Sequence, residues 1–358
     1  MAEPLGASSL RPITTLDEAA WRAFLEASPQ ANIFLTPEMY QVFQQTRYYT
    51  PEVWAVQDRD HTIVALMMPV VISLGDRFLS WLTSRAVAYG GIAYLPSCKE
   101  ASLSVLVQAY GRARHFPALF TEIRHLSDAT DIQPILQRYG FQYEDHLNFL
   151  IPLDRPPEVI FQRFKKRVRK QIRRSLREGQ VTVEEVVDRS QLPTWYALLR
   201  KTYEAAQVPL APFSLFEAIF EILVPKEMAK FFVAKVGEAW ASVSLELLYR
   251  DVIYGWYGGT DRAFARYYPT ELLLWHIFQW GATHNYRSYD FGGAGRPGEP
   301  YGVRDFKAKF GGTLVCFGRN TLVHSPHRLF LSRQGYFLYR KLKRLRHAFS
   351  QWSEARAR

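Results

Sequence analysis

The chain has 358 residues, of which 48% are hydrophobic, 15% aromatic and 22% charged. This composition excludes a largely disordered protein, and the length suits two domains better than one. Two cysteines, Cys98 and Cys316, are too few for a disulfide scaffold or a four-cysteine zinc site, and the net charge is +11.

The N-terminal segment has no basic region followed by an apolar run, so the sequence predicts no signal peptide. The longest apolar run, residues 63–74, contains Pro69 and is too short to cross a bilayer. We therefore expect a cytoplasmic protein.

The first half of the chain predicts a mixed sheet. Apolar runs over residues 53–58 and 62–70 flank a polar turn and are typical of a strand pair. Tyr89-Gly-Gly-Ile-Ala-Tyr predicts a third strand, which is followed by a helix over residues 101–114 and a strand over residues 118–123.

The second half repeats this order of elements. A strand pair over residues 231–247 is followed by Tyr254-Gly-Trp-Tyr-Gly-Gly, a helix from Pro269 to about residue 283, and a strand at Ser288-Tyr-Asp-Phe. The identity between the halves is low, but the shared order indicates an internal duplication.

A proline cluster at Pro152, Pro156 and Pro157 predicts the boundary between the halves. We predict an α/β (α+β) fold with two tandem domains that each contain a mixed sheet. The first domain spans residues 1–150 and the second spans residues 151–325.

A basic helix over residues 161–178 is predicted at the start of the second domain. Residues 163–177 hold nine Lys or Arg and no acid, and Gly179 is a stop signal. Its apolar stripe consists of Phe161, Phe164, Val168, Ile172 and Leu176. A solvated surface is the alternative interpretation, but such surfaces normally mix both signs of charge, so we expect an anionic partner.

The tail, residues 326–358, predicts a second basic amphipathic helix. Nine Lys or Arg and one acid fall in residues 328–358. Such a helix docks on its own domain or lies on an anionic membrane surface, and both interpretations stay open.

The segment Gly293-Ala-Gly-Arg-Pro-Gly matches a dinucleotide-binding pattern literally. That pattern must open a helix, and Pro297 and Pro300 disfavour one, so we predict a flexible loop over a cleft instead. The nine histidines show no ligand spacing, which predicts no metal site.

The stretch Asp305-Phe-Lys-Ala-Lys-Phe-Gly-Gly places two lysines between aromatic residues. In an extended segment Lys307 and Lys309 would point the same way, and a fixed ammonium can stabilise an oxyanion or bind a phosphate. Asp290 ends a strand, where open α/β sheets place their sites, although a turn or capping role is equally compatible with its position.

Four segments together resemble the FemAB-like (FemABX) branch of the GNAT acyltransferase superfamily, in order and in spacing. They are Phe164-Lys-Lys-Arg-Val-Arg-Lys-Gln-Ile-Arg-Arg-Ser-Leu-Arg-Glu-Gly, Tyr268-Pro-Thr-Glu-Leu-Leu-Leu-Trp-His, Tyr289-Asp-Phe-Gly-Gly and Phe306-Lys-Ala-Lys-Phe-Gly-Gly. Asn32-Ile-Phe-Leu-Thr-Pro and Tyr89-Gly-Gly add a weaker match in the first half.

The resemblance implies two tandem GNAT-like domains and acyl transfer to an amine. In Fem-type members the donor is aminoacyl-tRNA and the acceptor is the peptide stem of a cell-wall precursor. The Phe-Lys pair of the family motif, here Phe306 and Lys307, is associated with the aminoacyl end of the donor.

The candidate catalytic residues are therefore Lys307 and Asp290. The candidate donor-binding residues are Phe306, Lys309, Arg169, Arg173, Arg174, Gly292 and Gly293. The candidate acceptor-binding residues are Tyr254 and Tyr257.

The donor expected from the sequence is tRNA-linked, with no cofactor. GNAT proteins that use coenzyme A hold its pyrophosphate on a glycine-containing loop, whereas Arg266-Tyr-Tyr-Pro-Thr-Glu-Leu has no glycine and Pro269 removes a backbone donor. Fem-type enzymes that use a nucleotide-linked precursor present a lysine and an arginine to its phosphates. Neither cation is evident near Val42-Phe-Gln-Gln or Glu204-Ala-Ala-Gln, and this departure counts against a nucleotide-linked cell-wall acceptor.

The leading hypothesis is aminoacyl transfer to a cell-envelope precursor, such as one for peptidoglycan, at the inner face of the membrane. One alternative is an N-acyltransferase of polysaccharide or lipid biosynthesis that uses acyl-CoA or an acyl carrier protein. A second alternative is a non-catalytic adaptor for RNA or membranes.

Overall fold

The structure, a computed structural model, describes residues 10–73, 77–113, 115 and 117–335, without the side chains of residues 77–79. The strands are β1 Arg11–Ile13, β2 Tyr49–Pro51, β3 Trp54–Gln57, β4 Ile63–Ile72, β5 Arg85–Tyr94, β6 Phe120–Arg124, β7 Gln142–Glu144, β8 Leu147–Pro152, β9 Val181–Glu185, β10 Ala229–Val236, β11 Ala239–Tyr249, β12 Val252–Thr260, β13 Ser288–Gly293, β14 Thr313–Cys316 and β15 Arg319–Val323. The α-helices are α1 Glu18–Ala27, α2 Pro37–Gln45, α3 Arg77–Thr83, α4 Lys99–Arg112, α5 Gln133–Arg138, α6 Pro157–Arg163, α7 Lys166–Glu178, α8 Leu192–Ala206, α9 Phe213–Ile222, α10 Pro269–Thr283 and α11 Gly302–Lys307.

Two mixed sheets form the scaffold. The first has the order β1-β3-β4-β5-β6-β15-β7, with β2 paired to β4, and the second has the order β14-β8-β13-β12-β11-β10-β9. Each sheet contains a single parallel pair among the described strands, β5 with β6 and β12 with β13. The predicted fold class, two tandem α/β units with mixed sheets, is confirmed.

The duplication is visible in the connectivity. The series β3–β4–β5–α4–β6 in the first sheet corresponds to β10–β11–β12–α10–β13 in the second. In both series the helix connects two neighbouring parallel strands, as a crossover between parallel strands requires. The order of elements read from the sequence is therefore the order in the structure.

Two strands connect the halves in a way that the sequence did not indicate. The strand β8 spans the predicted boundary at residue 150 and lies in the second sheet. The strand β15, near the end of the predicted second domain, returns to the first sheet and pairs with β6 and β7. Each half of the chain therefore holds a strand next to the other half.

The two sheets share a continuous apolar core. Phe34 and Phe43 from the first half pack edge-on against Trp256 of the second half, with ring centroids 5.4 and 6.4 Å apart. Buried side chains from both halves, including Leu66, Trp195 and Phe216, belong to the same cluster. This shared core fixes the position of one sheet relative to the other.

The predicted basic helix over residues 161–178 is broken into α6 and α7. Phe164 and Lys165 adopt extended backbone angles, and the Lys165 amide donates 2.8 Å to the Lys309 carbonyl instead of continuing the helix. Gly179 ends α7 in the left-handed conformation, as expected. The prediction that Leu176 packs inward is wrong, because its side chain is 56% exposed.

The beginning of the tail docks on the first domain. Residues 326–335 are helical, and Arg328 donates to the carbonyl oxygens of Trp81 and Pro117, at 3.1 Å from Nε and 2.6 Å from Nη2. Residues 336–358, with most of the predicted amphipathic helix, lie outside the described residues. Within the described part of the chain, no helix is both long enough and apolar enough to cross a membrane.

Candidate functional site

The two parallel strand pairs separate at facing points. The last paired residues are Tyr89 and Arg124 in the first sheet, and Tyr254 and Asp290 in the second. A cavity of about 140 Å³, here called the interdomain cavity, is lined by all four of these residues. Separated strands leave backbone and side chains accessible, so each separation point, here called an opening, is a natural place for a ligand.

A glycine follows the tyrosine at each opening for steric reasons. A Cβ at Gly90 would lie 2.1 Å from Oδ1 of Asn32, whose Nδ2 donates 2.9 Å to the Gly90 carbonyl. A Cβ at Gly255 would lie 2.1 Å from the hydroxyl of Tyr289. Both Tyr-Gly pairs therefore mark sites of close approach.

Asp290 is buried at the second opening. Its Oδ1 accepts hydrogen bonds from Nδ2 of Asn148, at 2.8 Å, and from the Gly292 amide, at 2.7 Å. No described residue donates to Oδ2. Burial raises the pKa of Asp290, and these hydrogen bonds and the charge of Lys307 offset part of that effect. An unengaged carboxylate oxygen at a cavity wall can accept a proton.

Lys307 lies beside Asp290, but all its donors are engaged. Nζ donates to the carbonyl oxygens of Phe291, of Gly292 at 3.0 Å and of Gly293 at 2.9 Å. Burial lowers its pKa to about 8, against the opposing charge of Asp290. An ammonium has three donors, so this lysine fixes the end of β13 rather than reaching toward a ligand.

The expectation of an extended segment at Lys307 is wrong. Lys307 ends α11, and residues 308–310 form a 3-10 turn. The two lysines consequently diverge: Lys307 points into β13, whereas Lys309 lies over the ring of Phe306, 5.5 Å from its centroid. Phe306 in turn packs on Phe310 with the centroids 5.4 Å apart.

The glycines of this region permit close packing. A Cβ at Gly311 would lie 2.3 Å from the Arg163 carbonyl, so only glycine lets this turn contact the break before α7. Gly292 and Gly293 line the interdomain cavity, and a Cβ at Gly293 would lie 3.0 Å from Nε2 of His146. Residues 294–301 form a loop after β13, as the sequence predicts.

A second groove, here called the α10 groove, lies at the N-terminus of α10. It has a volume of about 340 Å³ and presents three cations, Lys165, Arg167 and Lys309. Glu271, in the first turn of α10, lines the same groove, and burial raises the pKa of its carboxyl. The groove thus combines a basic wall with an acid at the helix N-terminus.

The three arginines predicted to bind the donor lie on α7 outside the lining of this groove. Nη1 of Arg169 donates 2.6 Å to the Gln162 carbonyl, and Arg173 lies over the Phe161 ring at 5.4 Å. Arg174 pairs with Glu178 at 2.7 Å. All three remain on the basic face of α7, while Lys165 and Arg167 are the cations that the sequence reasoning missed.

The two candidate acceptor-binding tyrosines are separated. Tyr254 lines the interdomain cavity, with its ring 6.1 Å from that of Phe34. Tyr257 lies outside the cavity lining and packs on Phe216 and Tyr203, at 5.0 and 6.0 Å. Burial raises the pKa of both hydroxyls, so both are protonated near neutrality.

The first opening carries charged residues that the sequence analysis did not select. Glu122 accepts from Nε of Arg124 at 2.6 Å and from Nη1 of Arg319 at 3.3 Å. Nη2 of Arg319 also contacts Nε2 of His146 at 2.8 Å. The sequence offered one signal for this site, because Arg124 ends the strand that follows the Tyr89-Gly-Gly strand and its helix. It offered none for Arg319, which comes from the distant β15.

Among the described residues, no group of three or more His, Cys, Asp or Glu side chains could hold a metal ion.

Comparisons with known proteins agree with this geometry. Residues 162–307 match the family model described as an acetyltransferase (GNAT) domain. The crystal structure of FemX superposes with a TM-score of 0.68 at 16% identity, covering 87% of this chain and 97% of that one. The chain has the tandem GNAT fold, and its resemblance to the FemAB-like branch is confirmed.

Two further solved structures have folds similar to that of this chain. A tandem GNAT protein from the clavulanic acid biosynthesis pathway has a TM-score of 0.56 at 12% identity, covering 88% of this chain and 99% of that one. L-PGS from Bacillus licheniformis has a TM-score of 0.52 at 15% identity, covering 88% of this chain and 96% of that one. A comparison with curated proteins finds no match.

Proposed function

We propose that this GNAT protein is an N-acyltransferase that moves an aminoacyl group from aminoacyl-tRNA to an amine of a cell-envelope precursor. The observation that carries the proposal is the buried Asp290, whose Oδ2 is unengaged where β12 and β13 separate. A positioned carboxylate beside a cavity is the group that an acceptor ammonium needs as a base.

The proposed reaction balances without a cofactor. The acceptor ammonium gives one proton to Asp290, and the neutral nitrogen forms a bond to the acyl carbon of the donor ester. The carbon–oxygen bond of the ester then breaks, and the second proton of the nitrogen passes to the ribose oxygen that leaves. Asp290 releases its proton to water, so the products are an amide and a free tRNA hydroxyl.

Lys307 acts in this mechanism as a positioning residue. Its ammonium holds the carbonyls of residues 291–293 in place, and the Gly292 amide thereby stays in hydrogen-bond contact with Asp290. At the facing strand, a bulge leaves Trp256 without a ladder partner between Tyr257 and Gly255. Trp256 lines the cavity at this bulge.

The α10 groove supports a tRNA donor over coenzyme A. A pyrophosphate at this helix N-terminus would meet the carboxyl of Glu271 and would lack one amide donor because of Pro269. The cations Lys165, Arg167 and Lys309 stand at the edge of the groove, next to the basic face of α7. This arrangement suits a tRNA whose phosphates contact the cations from outside while its aminoacyl end enters the groove.

The comparisons support the acyltransferase class, and the FemX likeness favours a peptidoglycan precursor as the acceptor. A protein that acts on such a precursor would work in the cytoplasm, at the inner face of the membrane. The start of the basic tail docks on the first domain. We propose the rest of the tail, residues 336–358, as the contact to anionic lipid.

The first experiment measures binding of pooled aminoacyl-tRNA over a series of salt concentrations. Replacing Lys165 and Arg167 together by alanine should lower the slope of log K against log salt by about 1.5, because each phosphate contact contributes about 0.7–0.9. The matched control replaces Arg59 and Arg112, two exposed arginines of the first domain, and should leave the slope unchanged.

The second readout is product. Incubation with tRNA carrying labelled amino acids and an envelope-precursor fraction should yield label that resists alkali, because an amide survives conditions that hydrolyse the donor ester. Two results together would contradict the proposal and favour an acyl thioester donor. Acetyl-CoA would displace the tRNA, and the Lys165/Arg167 variant would keep the salt slope of the parent. Binding of tRNA without any amide product would favour the adaptor alternative.

A further inference from the structure

The first opening carries more positive than negative charge. Arg124 and Arg319 share one carboxylate, Glu122, and the three side chains are 29%, 26% and 20% exposed. Burial raises the pKa of Glu122, but the two guanidinium charges outweigh it and hold the pKa below its usual value. One positive charge therefore remains uncompensated at this wall of the interdomain cavity.

The histidines beside this wall do not change its charge. A guanidinium only donates, so Nε2 of His146 accepts from Arg319, and burial together with the Arg319 charge lowers the pKa of His146 to about 4. Nε2 of His125 contacts Oδ1 of Asn320 at 2.6 Å, and burial lowers its pKa as well. Both rings are neutral near pH 7, and the nearby Arg296 is paired with Glu144.

Arg124 keeps a free donor pair at the cavity. Its Nε is used by Glu122, while neither Nη nitrogen donates to any described residue. The guanidinium lies over the ring of Tyr89, 5.2 Å from the centroid, and that ring also lines the cavity. A planar fork with two free nitrogens matches a carboxylate or a phosphate.

The second opening offers a hydrogen-bond acceptor to the same cavity. Asp290 presents its unengaged Oδ2, and the cation next to it, Lys307, has spent its donors on backbone carbonyls. The first opening thus attracts an anion. At the second opening the charge of Lys307 balances that of Asp290, and Oδ2 of Asp290 remains as an acceptor for the hydrogen of an amine. A cavity of about 140 Å³ has room for a small group that carries both charges.

We propose that the interdomain cavity recognises the acceptor as an amine with an anionic group close to it, and that Arg124 and Arg319 bind the anionic group while Asp290 faces the amine. The inference rests on the proposed function, because it names the acceptor chemistry at that same site. The anionic group is a carboxylate or a phosphate, which share the geometry that a guanidinium recognises.

The test is calorimetric titration of the full chain, at constant ionic strength, with small probes and no acyl donor. Two probes carry both groups: β-alanine with a carboxylate and phosphoethanolamine with a phosphate. Ethylamine, propionate and inorganic phosphate each carry one. A probe with both groups should have an affinity at least about tenfold higher than a probe with one group, because a hydrogen bond between charged groups contributes that much.

Variants assign the affinity to the proposed residues. Arg124→Gln should reduce the affinity for the better two-group probe about tenfold, to the level of ethylamine, and Arg319→Gln should act in the same direction. Arg124→Gln leaves Glu122 paired one to one with Arg319, so the variant should fold, which circular dichroism checks. The control Arg59→Gln removes an exposed charge far from the cavity and should bind as the parent does.

The outcomes separate this inference from the proposed function. Tighter binding of β-alanine identifies a carboxylate, and tighter binding of phosphoethanolamine identifies a phosphate; either result supports the inference. Equal binding of one-group and two-group probes, or an Arg124→Gln variant that binds normally, overturns it. If the probes bind as expected and no amide ever forms from aminoacyl-tRNA, the proposed function fails while the cavity assignment stands.

Discussion

In the first sheet the parallel strands separate after Tyr89 and Arg124, and in the second sheet they separate after Tyr254 and Asp290. Both openings place a glycine after the tyrosine, and in both a Cβ there would collide with a buried polar side chain. Both openings therefore share a close approach at a Tyr-Gly pair, although Gly90 is left-handed and Gly255 is not. A guanidinium occupies the partner position at the first opening and a carboxylate occupies it at the second.

This difference shows how one duplicated scaffold can divide the tasks of a single site. The carboxylate opening has a lysine, Lys307, that fixes its backbone. Among the described residues that line the guanidinium opening there is no lysine, and Arg124 keeps its two Nη nitrogens free for a ligand. The second half of the chain thus carries the features suited to chemistry, and the first half carries features suited to binding.

The largest expected effect comes from replacing the charged residue of each opening, Asp290 or Arg124, in a separate variant. Asp290→Asn should lower kcat about a hundredfold or more, because it removes the proposed base. Arg124→Gln should raise the KM for the acceptor about tenfold and leave kcat nearly unchanged, because it removes only binding. Steady-state formation of alkali-stable amide measures both, and equal losses of kcat in the two variants would refute the division of tasks.

A second test compares the two lysines of the Phe306–Phe310 turn. Lys307→Met should lower the free energy of unfolding by about 3 kcal/mol, because it strands three carbonyl oxygens and the buried Asp290. Lys309→Met, at a half-exposed position, should change stability by less than about 0.5 kcal/mol. Urea unfolding gives both values; a Lys307→Met protein as stable as its parent would remove the positioning role.

The smallest effect concerns His146, which connects the two openings through Arg319 and the neighbouring Gly293. Its pKa is lowered from 6.5 to about 4 in the folded protein. The unfolded chain therefore binds the proton first, and stability should fall as the pH drops from about 6.5 to about 4. His146→Gln should unfold with less dependence on pH in this window; an identical pH profile would show that His146 does not contribute.

Local patterns were enough to predict the order of elements. Alternating apolar residues and glycine or proline signals placed the two series of strands and the helices between them, and Gly179 ended α7 as predicted. These features depend on neighbours within a few residues, which is the range over which hydrophobic periodicity and capping act. Asp290 was selected for a similar reason, since it ends a strand.

Three errors and omissions involve contacts between distant parts of the chain. The break at Phe164 and Lys165 exists because the Lys165 amide meets the Lys309 carbonyl. The segment around Lys307 is helical, and the Lys307 ammonium contacts the end of β13. Arg124 becomes part of a cation pair only when β15 pairs with β6 and supplies Arg319. No periodicity in a single sequence reports such pairings.

The return of β15 to the first sheet has a consequence for synthesis. This strand lies between β6 and β7, so the first sheet lacks an internal strand until residue 323 has left the ribosome. Nearly the whole second half must therefore be translated before the first half can complete its hydrogen-bonded ladder. The same strand delivers Arg319 to the cavity, which makes the cation wall one of the last parts of the molecule to be assembled.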